Sequence, residues 1–187
     1  GYALAQAALD AGAQVTLVSA PTSLTPPVGA RLVNVETARQ MLEAVLAESA
    51  SADALIMAAA IADFRPKGAA ASKMKKRDGI PQVTLEATED VLEAVAAQRS
   101  RMKRPRVTVG FAAESRDLLV NASEKLTSKK LDFIVANDIS ASDAGFGVET
   151  NRVTLLFADG KQEALPLMSK TEVAETILAR VATLLET

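Results

Sequence analysis

Four short apolar runs constrain the fold of this chain more than any other feature: "VTLVSA" (15–20), "ALIMAAA" (54–60), "VTVGFAA" (107–113) and "LDFIVAN" (131–137). Each is too short for a surface helix. Each also lacks the polar alternation of a strand wetted on one side, so it reads as a strand covered on both faces. The segments between them carry helical spacing. Thr37 opens a Thr-x-x-Gln capping box with Gln40, and Met41, Leu42, Val45 and Leu46 form an apolar stripe behind it. Residues 89–97 and 117–129 read as two further helices. The final helix opens with Ser169-x-x-Glu172 and carries Val173, Ile177, Val181 and Leu184 on its apolar side. Alternating β and α elements predict an α/β fold: a Rossmann-like, doubly wound three-layer sandwich with a mainly parallel sheet.

Other segments depart from that rhythm. "RLVNV" (31–35) is a weaker strand candidate. Residues 64–88 contain Pro66, a small-residue run and the strand-like "QVTLEA", and read as a β excursion carrying a flap. Residues 152–167 place an Asp159-Gly160 turn between two extended runs, an edge-hairpin signal. At the start, Ala3, Leu4, Ala7 and Ala8 share a helical face and Gly12 lies just beyond it. A helix that feeds at once into a buried strand looks like the second half of a βαβ unit. The expectation is therefore one nucleotide-binding domain over residues 1–187, apparently lacking its first strand and glycine-rich turn.

The chain has no cysteine and no histidine. Thiolate nucleophiles, disulfides, Cys/His zinc sites and a Ser-His-Asp triad are excluded within it. Catalysis must use Lys, Arg, carboxylates, amides, backbone dipoles, or a metal held by carboxylate or phosphate oxygen. With 3% aromatics and a net charge of −2, neither a stacking platform nor a dominant basic surface for nucleic acid is expected. No apolar run is long enough to span a membrane, and the absence of cysteine fits a cytoplasmic protein.

Ligands of open parallel sheets bind beyond the carboxyl ends of the strands. Here "MAAAIAD" runs small residues into Asp63, "GFAAE" into Glu114 and "VAND" into Asn137 and Asp138. Small residues admit a ligand to the backbone and the polar residue orients it, so a pocket is expected on that rim. "SKMKKR" (72–77) gathers Lys73, Lys75, Lys76 and Arg77 in a slightly acidic chain. Lys125 and Lys129 lie four apart on one helical face, where like charges repel. Each group read alone is a solvated face; together they suit a polyanion such as a triphosphate. Neither Gly-x-Gly-x-x-Gly nor Gly-x-x-x-x-Gly-Lys-Ser/Thr occurs. Composition and spacing lead to a nucleotide-handling α/β domain and no further.

The blocks "AAAIADFRPK", "SKMKK", "VGFAAES", "KKLDFIVANDIS" and "GFGVETNRVTLLFADG" occur in an order and spacing that resemble the CTP-dependent phosphopantothenate–cysteine ligase domain of the bacterial bifunctional decarboxylase/ligase of coenzyme A biosynthesis. The resemblance covers nearly the whole chain. It implies that the 4′-phosphopantothenate carboxylate attacks the α-phosphate of CTP, expelling pyrophosphate. The amine of L-cysteine then displaces CMP from the acyl-cytidylate. Mg²⁺ is implied as the charge-neutralising ion, with ligands unknown. Lys73 matches the catalytic lysine of a mobile triphosphate loop. Met57, Ala58 and Ala59 match backbone contacts to the nucleotide, Asp63 an acidic contact, Phe111 the aromatic residue, and Lys125 and Lys129 two lysines that touch it.

The family's turn before the next helix falls at Glu89, Asp90, Val91 and Leu92. Here the chain reads Thr88-Glu89-Asp90-Val91 where relatives commonly show Asn-Pro-Asp-Ile, so the resemblance implies backbone amides of the helix start as the contacts there. The family's catalytic asparagine would precede Gly1, so this fragment alone is expected to be inactive if it truly begins there. The resemblance also implies a homodimer joined by strands outside the main sheet, and an upstream flavin (FMN) decarboxylase where the two are fused. Two other readings stand beside it: a nicotinamide-dependent oxidoreductase, and a non-catalytic nucleotide-binding module. The residues alone do not separate CTP from ATP.

Overall fold

Three of the four apolar runs assemble a mostly parallel sheet with helices on both faces, while "VTLVSA" stands apart and is exposed at its start. The structure is a computed structural model that describes residues 1–68, 82–114, 117–138 and 148–187, with backbone alone at Glu114 and Asp138. In chain order the first elements are α1 (Tyr2–Asp10), β1 (Thr16–Ser19), β2 (Arg31–Asn34), α2 (Ala38–Ser49), β3 (Ala54–Met57), β4 (Phe64–Pro66) and β5 (Leu85–Ala87). They are followed by α3 (Val91–Met102), β6 (Val107–Glu114), α4 (Leu118–Ser128) and β7 (Phe133–Asp138). The chain then forms β8 (Thr150–Asn151), β9 (Val153–Phe157), β10 (Gln162–Ala164), β11 (Met168–Ser169) and α5 (Lys170–Glu186).

The main sheet has the order β10-β9-β7-β6-β3. Strands β3, β6 and β7 are parallel, with Met57 beside Gly110 and Gly110 beside Ile134, while β9 and β10 add an antiparallel edge. Alternate residues enter two cores. Ile134 and Ala136 face a cluster built with Met41, Val45, Val95 and Leu126 from α2, α3 and α4. Val107, Val109, Phe133 and Val135 face Leu4, Ala7, Val173 and Ile177 from α1 and α5.

Strands β1 and β2 pair with each other in parallel as a separate ribbon, whose Val18 and Val33 pack against the first core. The weak "RLVNV" signal is thus a strand. Both expected capping boxes form: Thr37 with Gln40 and Ser169 with Glu172. The hairpin turns at Gly160, whose φ of 89° suits glycine. Two features exceed the sequence expectations. Helix α3 runs to Met102 and not 97, because Gln98 Nε2 donates to the Leu46 carbonyl at 3.0 Å and to Ser49 Oγ at 3.1 Å on α2. The hairpin is also flanked by a short antiparallel pair, β8 with β11.

The excursion is a two-stranded antiparallel ribbon, β4 with β5, whose connecting residues 69–81 lie outside the described residues. Among the described residues no helix is long and apolar enough to cross a membrane.

Candidate functional site

Met57, Ala58, Ala59, Asp63 and the start of α3 lie at or beyond the carboxyl end of β3, whereas Phe111 sits within β6 with its side chain against the second core, and Lys129 follows the C-terminal end of α4. Met57 ends β3 with its side chain buried, Ala58 is half-buried and Ala59 is exposed, so backbone becomes accessible just past the strand. The chain then passes exposed Asp63 into the ribbon. Thr88 stitches that root to the start of α3: its amide donates to the Asp63 carbonyl at 2.9 Å and its hydroxyl to the Ala62 carbonyl at 2.5 Å. Thr88 belonged to the departing turn motif, and its hydroxyl is the signal that the turn is rebuilt by side-chain bonding.

Asp90 caps α3 by accepting from the Glu93 amide at 3.0 Å, while Glu89 beside it is exposed. Val91 and Leu92 are 3% and 7% exposed. Their side chains are core, which leaves only backbone amides of the first helical turn for a ligand. Burial pushes the Asp90 carboxyl up, but the Glu93 amide and the Lys129 ammonium outweigh it and hold it below its ordinary 3.8.

The two lysines of α4 have distinct partners. Lys125 Nζ donates to the Phe111 carbonyl at 2.9 Å, tying α4 to the end of β6. Lys129 Nζ bridges Glu93 at 2.6 Å and Asp90 at 3.1 Å. The Glu93 hydrogen bond chiefly raises the Lys129 pKa above 10.5, so the group stays cationic at neutral pH. Glu93 was absent from the sequence expectations; a partner 36 residues away leaves no local signal.

Gly110 sits where β6 passes under Leu131, and a Cβ there would lie 2.6 Å from Leu131 Cδ1. The missing side chain lets Leu131 and α4 seat close to the sheet. Asn137, one strand over, is 9% exposed, and its Oδ1 meets no hydrogen-bond partner among the described residues. A buried acceptor of this kind is costly unless a ligand or water completes it. "VAND" had pointed to it as a strand ending.

The charge inventory decides what this rim can hold. Lys129 is already matched by Asp90 and Glu93, and Lys125 is held on the Phe111 carbonyl. A polyanion seated there needs further cations. Lys73, Lys75, Lys76 and Arg77 lie outside the described residues. No group of three or more acidic side chains gathers as a metal cage among the described residues.

A family model described as the DNA/pantothenate metabolism flavoprotein C-terminal domain matches residues 1–185. The chain is 46% identical over 185 residues to a Bacillus subtilis (strain 168) protein, "Coenzyme A biosynthesis bifunctional protein CoaBC", covering 98% of this chain and 45% of that one. A Vibrio vulnificus (strain CMCP6) protein of the same description is 44% identical over 187 residues, covering 99% and 46%. The chain thus spans slightly under half the length of these curated relatives. A crystal structure of the C-terminal domain of CoaBC superposes with a TM-score of 0.81 at 38% identity, covering 100% of this chain and 82% of that one.

Proposed function

The chain belongs to the DNA/pantothenate metabolism flavoprotein C-terminal domain family, and from that premise we propose that it joins 4′-phosphopantothenate to L-cysteine at the expense of CTP. The match over residues 1–185 carries this reading, and the strand-end rim supports it. One carboxylate oxygen of phosphopantothenate bonds to the α-phosphorus of CTP as the bond to pyrophosphate breaks. The cysteine amine then bonds to the acyl carbon, loses a proton, and CMP leaves. Bound magnesium supplies charge neutralisation on the triphosphate.

The chain's own groups position and neutralise. Ala58, Ala59 and the first turn of α3 offer backbone, Asn137 a carbonyl oxygen unpaired among the described residues, and Asp63 an acceptor. Phe111 borders the nucleotide. Lys125 and Lys129 exchange their present partners for phosphate, and Lys73 with its neighbours meets the remaining charge. The whole reads as one doubly wound, three-layer ligase domain, with a flavin decarboxylase upstream in the full protein.

The ribbon supports a homodimer. Phe64 lies opposite Ala87 and Pro66 opposite Leu85, so one ribbon face is wholly apolar, and Phe64 and Leu85 are 62% and 57% exposed. The other face carries the Arg65–Glu86 pair at 2.9 Å. A lone two-stranded ribbon is marginal in water, and a second copy of the same face would cover it.

A calorimetric titration of the intact protein with Mg·CTP, beside Mg·ATP and NAD⁺ and repeated on Lys73→Gln, tests the nucleotide site. CTP-selective heat weakened by the substitution is expected. NAD⁺ binding in place of CTP would move the protein to the oxidoreductase reading.

A further inference from the structure

At the amino edge of the sheet, opposite the rim above, the C-terminal ends of α3, α4 and α5 surround a groove of about 530 Å³. Ala96 and Leu184 give it an apolar wall, and Arg99, Lys103, Arg106 and Lys130 line it with positive charge. Both arginines are engaged. Arg99 donates to the carbonyls of Lys130 and Arg106 and pairs with Asp132 at 2.9 Å, and Arg106 donates to the Leu185 carbonyl at 2.6 Å. Asp132 is also engaged, since it accepts from the Thr108 amide at 2.6 Å besides holding Arg99. The helix-end carbonyls therefore already have cationic donors.

Lys103 and Lys130 have no such work. Both are exposed, and neither ammonium has a partner among the described residues. Both also hold left-handed backbone, with φ of 58° and 53°, immediately past α3 and just past α4. Glycine is the favoured residue at such positions because a Cβ crowds the following carbonyl. Lysine occupies two left-handed positions that open on one groove.

We propose that this groove is a second ligand site, taking a small phosphate-bearing molecule with two or more negative charges. Lys103 and Lys130 bind the phosphate and the rest lies against Ala96 and Leu184. The proposal does not rest on the ligase reading, because the groove is at the opposite edge from the proposed nucleotide site.

Lysine acylation footprinting of the intact protein by mass spectrometry tests it, with inorganic pyrophosphate as the probe at physiological salt. Lys103 and Lys130 should acylate about tenfold more slowly once the groove is nine-tenths occupied, while exposed Lys161 on the same edge keeps its rate. Lys130→Gly should abolish protection of Lys103. The Lys103→Gly/Lys130→Gly variant should melt no lower than the parent, because both strains are relieved. Equal slowing at Lys161, no slowing at Lys103 and Lys130, or a lower melting temperature for the double variant each overturns the proposal. The last outcome would assign the lysines to helix-end compensation.

Discussion

Gly110→Ala perturbs the contact that seats α4 against the sheet. A Cβ at this position lies 2.6 Å from Leu131 Cδ1, 3.7 Å from Leu92 Cδ1 and 3.8 Å from Leu131 Cδ2. The first distance is far inside van der Waals contact. Leu131 is 3% exposed and Leu92 7%, so Leu131 has no open space to swing into. Overpacking of this kind costs about 1–3 kcal/mol, and replacing a strand glycine recovers roughly 0.5–1 kcal/mol. The net expectation is a destabilisation of about 0–2.5 kcal/mol, centred near 1 kcal/mol. Leu131→Ala alone opens a cavity and costs about 2–5 kcal/mol. In the double variant the new methyl group enters that cavity without a clash, so the two effects should be non-additive by about 1–2 kcal/mol in the favourable direction. Urea unfolding of the four proteins measures the cycle. A Gly110→Ala protein as stable as its parent, with coupling near zero, would refute the close-seating argument. The same substitution should weaken nucleotide binding, because Lys125 reaches the Phe111 carbonyl from the displaced helix.

Ser169→Ala and Thr37→Ala each remove an N-cap acceptor from a formed capping box, and each should cost about 1 kcal/mol in urea unfolding. Glu163 is held below its ordinary 4.5 chiefly by the Arg180 hydrogen bonds at 2.6 and 2.9 Å, which tie β10 to α5. A carboxylate with a depressed folded pKa stabilises fully above its unfolded value and loses that stabilisation as pH falls through the folded one. Unfolding free energy should therefore decline from about pH 4.5 downward, and Arg180→Met should flatten that decline in a pH series. Phe64→Ser with Leu85→Ser should leave the fold intact by circular dichroism and give monomers in analytical ultracentrifugation; a persistent dimer would remove the ribbon from the interface.

What was legible in the sequence was local chemistry. Apolar runs such as "FIVA" and "VTVGF" became the parallel strands because burial on both faces leaves no polar alternation. Thr37 and Ser169 marked helix starts because capping needs residues only three apart. What was not legible depends on distant partners. The last turn of α3 is polar in sequence, and its extension follows from Gln98 reaching α2 and Arg99 reaching the loop before β7. The engagement of Lys129 by Asp90 and Glu93 could not be read from an i, i+4 lysine pair on α4. The separation of β1 and β2 from the main sheet likewise has no signature in "VTLVSA". The rim at the strand ends was expected from small residues running into polar ones, and Asn137 Oδ1, without a partner among the described residues, adds a reason for a ligand there.

The central claim is a CTP-driven ligation through an acyl-cytidylate, and isotope transfer tests it most directly. The intact protein would be given 4′-phosphopantothenate labelled with ¹⁸O in its carboxylate, together with L-cysteine and Mg·CTP, and the products would be weighed by mass spectrometry. The account expects phosphopantothenoylcysteine, pyrophosphate and CMP in equal amounts, with one ¹⁸O carried into the CMP phosphate. Label in inorganic phosphate together with CDP would contradict it, because attack would then have occurred at the γ-phosphorus. Cysteine-dependent product without CMP would contradict it equally.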